Sequence, residues 1–240
     1  ELSKGGVMHE GFVSTILGLR GIPKAAEEVM VARDISLCEL TRGRLHIAHV
    51  STAGSVNLIR DAKKRGVNVT AETCPHYFTL TDESLISYDT NLKVNPPIRT
   101  AEDVEAIKEG LQDGTIDVIS TDHAPHHVDD KNREFDAAAF GISGLETALP
   151  LSLGLVDSGI LDLRKLISKM TSAPSRIMGI AKGTLREGAD ADVTIIHPAK
   201  TFKVDTFAFL SKGRNSPFQN WEMKGCVEKT IAMGKIHDWT

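Results

Sequence analysis

Three short apolar runs, separated by segments of helical pattern, restrict this chain to a fold with a parallel sheet. The runs at 45–50 (LHIAHV), 67–72 (VNVTAE) and 116–120 (IDVIS) are too short for helices and rich in β-branched residues. Between the first two lies AGSVNLIRDAKKR (53–65), with apolar positions at helical spacing. Ser51 or Thr52 stands where a cap is needed and Gly66 just past the end. A long loop containing Cys74-Pro75-His76 and ending in NLKVNPPIR follows the second run. Then comes a helix over AEDVEAIKEGLQ (101–112), capped by Thr100 and closed by Asp113-Gly114. Upstream, residues 23–40 open with a proline suited to a first helical turn and stop before Gly43. Strand, helix, strand in this order gives βαβ units. The apolar stretch at 145–156 reads as one more helix.

The texture changes near Gly183. The segments GTLREGADADVTIIHP, FKVDTFAF and CVEKTIAMGKI look like short strands joined by Gly and Pro turns. The expected division is therefore an α/β portion over 1–183 and a small β domain over 184–240.

Composition removes several function classes. With a net charge of −4, no basic patch points to nucleic acid. Cys38, Cys74 and Cys226 are widely spaced and form no CxxC pair, which argues against a zinc knuckle or a disulfide framework and for reduced cytosolic thiols. No run approaches the roughly 18 apolar residues of a membrane span, and no signal-peptide pattern opens the chain. Aromatics are only 5%, so the core must be built from Leu, Ile, Val and Ala. The first residue is Glu1, and the opening ELSKGGVMHEG reads like the middle of a domain.

In α/β folds the strand C-termini and the loops after them carry the chemistry. His49 ends the first run, Asn95 sits beside a Pro-Pro after the second, and Asp122 ends the third, with His123, His126 and His127 beyond. An imidazole and a carboxylate on different strand ends suit a divalent metal with an open position for water. Each residue also has an ordinary structural explanation. His49 alone could be a hydrogen-bonded core or cap histidine, and Asp122 alone a turn residue. His46 is expected on the same side as His49, as a core or supporting histidine. His9 and His76 are explained equally well by local structure, Cys74 as a small buried side chain, and Glu146 as part of a helix first turn.

The motifs now add up to a resemblance. TDHAPH at 121–126, preceded by DGTIDVIS, resembles the final-strand motif of class I dihydroorotases in the amidohydrolase superfamily. HVST at 49–52, TAETCPHY at 70–77, VNPPIR at 94–99, FGISGLETALP at 140–150 and NSPF at 215–218 resemble the same family in the same order. The resemblance implies the C-terminal portion of a (β/α)8 TIM-like barrel bearing a small β domain. It also implies one or two Zn2+ ions, with His49 a ligand on the sixth strand and Asp122 a ligand and acid/base on the eighth. Asn95, His126 and the backbone at Phe140-Gly141 would bind carbamoyl aspartate or dihydroorotate. A cytoplasmic homo-oligomer is implied, with aspartate transcarbamoylase as a candidate partner and neither nucleic acid nor membrane involved.

One departure is large. The HxH pair of the first strand, the bridging carboxylate or carboxylated lysine, the histidine of the fifth strand and the substrate arginine are all missing. The remaining metal ligands are therefore expected upstream of residue 1, and residues 1–240 alone are expected to be inactive. Two other readings stand beside this one: a sister cyclic amidase (dihydropyrimidinase, hydantoinase or allantoinase), and a noncatalytic dihydroorotase-like scaffold.

Overall fold

The chain opens with two very short parallel strands, β1 (Met8–His9) and β2 (Gly21–Ile22), joined through α1 (Phe12–Leu17). This opening was not anticipated from the sequence, because two-residue strands carry no readable alternation. The structure is a computed structural model describing residues 2–238. Next comes α2 (Ala25–Thr41), which turns Val31, Ile35 and Cys38 into the core while Val29, Leu37 and Leu40 stay exposed on its other side.

The expected βαβ units follow. β3 (Leu45–Ile47), α3 (Ala53–Lys64), β4 (Val69–Thr73), α4 (Ala101–Asp113) and β5 (Val118–Ile119) alternate along the chain. The three strands pair in parallel in the order β3-β4-β5, with Leu45 opposite Val69 and Thr73 opposite Ile119. Thr52 caps α3 by accepting from the Ser55 amide at 3.1 Å. Thr100 and Asp103 form a reciprocal capping box on α4, and Gly114 ends that helix at φ 85°. Each helix turns one apolar stripe to the sheet: Val56, Ile59 and Ala62 from α3, Ile107 and Leu111 from α4, all at 0% exposure. Burying each of the larger side chains contributes roughly 1.5–3 kcal/mol.

After β5 come the short α5 (Val128–Lys131), α6 (Leu145–Asp157) with Pro150 inside it, α7 (Leu163–Met170) and α8 (Ser172–Met178). An antiparallel sheet closes the chain: β6 (Val193–Lys203), β7 (Glu222–Ala232) and β8 (Lys235–Asp238). The segment 202–209, read as one strand, leaves the sheet after Lys203. Asp205 accepts from the Phe207 amide and Gln219 Oε1 from the Thr206 amide, which together bend the backbone into a 3-10 turn at Thr206–Ala208. From there the chain runs back over the α/β portion. Val204, Phe218 and Met223 join the same buried cluster as the helix and strand residues. Among the described residues, no helix is long and apolar enough to cross a membrane.

Candidate active site

His49 and Asp122 both lie just beyond their strands, in a backbone conformation that non-glycine residues seldom adopt. Their φ angles are 56° and 46°. Left-handed backbone at such residues costs of order 1–3 kcal/mol and persists only where the surroundings enforce it. Here the turn brings the two side chains face to face, with His49 Nε2 3.7 Å from Asp122 Oδ1. Burial raises the Asp122 pKa, with His49 pulling it down and Glu72 adding to the rise.

Glu72, on β4 between the other two strands, organises the pair. Its Oε1 lies 3.1 Å from His49 Nδ1 and its Oε2 3.2 Å from His46 Nε2. His46 and His49 are three positions apart, which on a regular strand would put them on opposite faces. The left-handed turn at His49 is what lets both reach one carboxylate, so the expectation of a shared side holds for a reason other than strand alternation. Burial pushes the Glu72 carboxyl up, but hydrogen bonds from His46, His49 and Ser120 outweigh this and hold it well below the usual carboxylate range. The bond to Glu72 raises the His49 pKa against the opposing effect of burial, with Asp122 adding to the rise. The carboxylate thus fixes the proton on His49 Nδ1 and leaves Nε2 aimed at Asp122. Glu72 was not singled out from the sequence. An acidic residue inside a buried parallel strand is the signal that could have marked it.

The thiol of Cys74 lies 3.5 Å from His49 Nδ1 and 3.4 Å from Ser120 Oγ. Burial pushes its pKa far up. His123 Nδ1 accepts from the amides of Gly144 and Leu145, capping α6, and exposed His127 caps α5. His76 is buried and its Nε2 has no hydrogen-bond partner among the described residues; burial lowers its pKa to about 3.

The residues expected to hold substrate fall into one tight group and one outlier. His126 Nε2 hydrogen-bonds the Phe140 carbonyl at 2.7 Å. The Gly141 amide donates to Lys93 O at 2.8 Å, so that N–H is already used. Gly141 has φ 144°, and a Cβ there would stand 2.6 Å from Ala124 Cβ and 2.8 Å from Ala124 O. Only glycine fits where these two loops touch. Asn95 is exposed and lines a cavity of about 440 Å³ with Phe140, Gly6 and Ile22, a wall that includes neither His49 nor Asp122.

Beneath the strand ends, a buried network joins two of the motifs. Arg99, 2% exposed, donates to Ser51 Oγ, Ile22 O and His9 Nδ1 at 3.2, 2.8 and 3.2 Å. Glu27 accepts from the amides of Ser51 and Thr52 and from the Ser51 hydroxyl, and lies 3.8 Å from Arg99. Burial, then the Arg99 charge, lowers the His9 pKa to about 4.

A metal must be held by hard or borderline donors with matching spacing. In a tetrahedral shell with bonds near 2.0–2.2 Å, two donors stand roughly 3.4 Å apart. His49 Nε2 and Asp122 Oδ1 are close to that, and the carboxylate on the far imidazole nitrogen is the usual support of a histidine ligand. Among the described residues, no group of three or more His, Cys, Asp or Glu side chains forms a complete metal-holding set. His49 and Asp122 are therefore a pair of donors at ligand spacing and not a full set.

Comparison with known proteins gives the same direction. The model of the Amidohydrolase family matches residues 5–237. A dihydroorotase of Syntrophus aciditrophicus is 60% identical over 235 residues, covering 98% of this chain and 55% of the relative. One from Pelotomaculum thermopropionicum is 61% identical over 236 residues, with the same two coverages. Among solved structures, L-hydantoinase from Arthrobacter aurescens superposes with a TM-score of 0.82 at 33% identity, covering 87% of this chain and 48% of that one. The chain thus spans about half the length of the relatives it matches.

Proposed function

Because the chain belongs to the amidohydrolase family, we propose that it is the C-terminal part of a dihydroorotase, which interconverts N-carbamoyl-L-aspartate and dihydroorotate in pyrimidine biosynthesis. The observation that carries this reading is the pairing of His49 Nε2 with Asp122 Oδ1 across β4, with Glu72 behind the imidazole. The identity of 60% to a dihydroorotase over 98% of the chain supports dihydroorotate as the ring.

His49 and Asp122 would hold zinc, together with ligands contributed by the upstream part of the protein. Bound zinc supplies Lewis-acid polarisation of the ring carbonyl and lowers the pKa of water to about 7. Asp122 takes the proton of the attacking water and delivers it to the amide nitrogen as the C–N bond breaks. In the cyclising direction the same carboxylate takes the proton from the carbamoyl nitrogen and gives it to the departing water. His126 and the Phe140-Gly141 segment would orient the substrate, with Asn95 donating from the opposite loop. The protein is proposed to act in the cytoplasm as a homo-oligomer, with aspartate transcarbamoylase as a candidate partner.

The likeness to L-hydantoinase keeps the sister cyclic amidases as the second reading. The test is ring opening by the zinc-supplemented full-length protein on dihydroorotate, dihydrouracil, hydantoin and allantoin. Turnover confined to dihydroorotate is the expected result. Turnover of another ring would move the assignment to a sister amidase, and a protein that binds no zinc and opens no ring would be a scaffold.

A further inference from the structure

The NSPF motif is the one sequence signal that the zinc chemistry leaves unexplained. Asn215 lies between β6 and β7, far along the chain from the strand ends, yet it is only 4% exposed. Every hydrogen-bonding position of its carboxamide is filled. Oδ1 accepts from the His126 amide at 3.0 Å and from Ser143 Oγ at 2.8 Å. Nδ2 donates to Ala124 O at 2.9 Å and to Gly141 O at 3.0 Å. Its own carbonyl accepts from the Ser143 amide at 2.8 Å. Two of these bonds go to the 124–126 loop, and the others go to the 141–143 segment. Gly213 presses the same strand of chain against both, since a Cβ there would meet Pro125 Cβ at 2.5 Å and Ser143 Oγ at 2.7 Å.

Gly141 and the chain leading into it are also held by ammonium groups. Lys131 Nζ donates to Ala139 O and to Gly141 O, and Lys93 Nζ to Asp136 O and Ala138 O. Gly141 O is thus shared between Asn215 and Lys131. The two loops also meet directly: the Ala124 amide donates to Ile142 O at 2.9 Å, and His126 Nε2 hydrogen-bonds Phe140 O at 2.7 Å. A carboxamide with four directed bonds to two separate loops acts as a spacer between them, setting distance and orientation together.

We propose that Asn215 is a positioning residue for the substrate side of the site: it clasps the 124–126 loop to the 141–143 segment and so fixes the His126 ring against the Phe140-Gly141 backbone. The β6–β7 connection is then a third wall of the site rather than an appendage of the small sheet. Lys131 supports the clasp from the far side of the Gly141 carbonyl. This rests on the reading of His126 and Phe140-Gly141 as substrate contacts. Among the described residues Asn215 bonds Ala124 and His126 and not His49 or Asp122, so zinc content is the control that separates the clasp from the metal pair.

The test uses the full-length protein carrying Asn215→Ala, with Asn215→Asp as the variant that keeps the acceptor bonds and loses the donors. Amide hydrogen exchange reads the clasp directly. Protection should fall in Asn215→Ala at 124–127 and 139–144, and stay unchanged in α3 and α4. KM for dihydroorotate should rise about tenfold or more, while kcat stays within about threefold and zinc content is unchanged, because misplaced binding groups act on substrate capture. Asn215→Asp should fall between wild type and Asn215→Ala, and it replaces Asn215→Ala in both readings if the latter does not fold. Unchanged protection at 139–144, or a KM within about twofold of wild type, would overturn the proposal. A wild-type protein silent on dihydroorotate but active on another ring would sink the functional reading alone, and the same KM comparison would then be made on that ring.

Discussion

Glu72→Gln is the substitution that most directly tests how the strand ends are organised. The carboxylate holds His49 Nδ1 at 3.1 Å through one oxygen and His46 Nε2 at 3.2 Å through the other. Glutamine keeps the size and one acceptor but removes the negative charge. His49 then loses the charge-assisted bond that fixes its tautomer, and its Nε2 becomes a weaker electron donor. Removing such an outer partner of a histidine ligand typically costs about 10–100-fold in metal affinity, or about 1.4–2.7 kcal/mol. The Glu72 side chain is 16% exposed, so water screens the interaction little and the larger half of that range is expected. The assay is a zinc titration of the apo full-length protein against a competing chelator at pH 7.5. His46→Asn is the comparison, since it removes the contact to the second oxygen, with that to Thr70 Oγ1, while leaving the His49 contact in place, and should cost less. Wild-type zinc affinity in Glu72→Gln would refute both the tautomer argument and the assignment of His49 as a ligand.

Asp122→Asn should abolish ring opening in the full-length protein while leaving the thermal unfolding midpoint within a few degrees; retained turnover would remove the proposed proton transfer. Gly141→Ala should destabilise by about 2–4 kcal/mol, combining the cost of φ 144° with a Cβ placed 2.6 Å from Ala124 Cβ. Its check is denaturant unfolding beside a KM measurement. His9 predicts the acid behaviour. Its pKa of about 4 in the folded state lies below the ordinary 6.5, so between those values the unfolded chain binds a proton that the folded chain refuses. Stability should therefore fall as pH drops from 6.5 to 4, by about 3 kcal/mol from this residue, and His9→Gln should flatten that part of the profile. Urea unfolding at several pH values decides it, and an identical slope in His9→Gln would count against the buried neutral imidazole.

The sequence carried the frame of the fold because its strands and helices obey simple periods. α3 and α4 announce themselves through caps and apolar stripes, and β3, β4 and β5 through short β-branched runs between them. β1 and β2 were illegible because two residues cannot alternate, and α7 and α8 were passed over although Asp162 caps the first and Gly179 ends the second. For the site, His49 and Asp122 were legible as chemistry at strand ends. The way they meet was not, since it depends on left-handed backbone at both residues. Glu72, Arg99, Lys131 and Asn215 were invisible as site builders for a related reason. Each is a polar residue whose partners lie outside its own element, and no local pattern records a contact between residues 126 and 215.

That backbone strain also explains why the motifs extend beyond their ligands. A left-handed His49 relaxes unless the following residues are fixed, and Glu27 fixes them by taking the amides of both Ser51 and Thr52. Glu27 is itself set opposite Arg99, the last residue of VNPPIR, which also bonds Ser51. The loop bearing Asn95 and the turn bearing His49 are therefore one buried unit. Removing the guanidinium leaves Glu27 and neutral His9 without their partner in the interior, a loss that typically costs about 3–5 kcal/mol. Damage at Arg99 therefore reaches the turn at His49 directly, through Glu27 and Ser51. Serine and threonine after His49, and arginine after the two prolines, are on this view the residues that keep His49 in the conformation its chemistry requires.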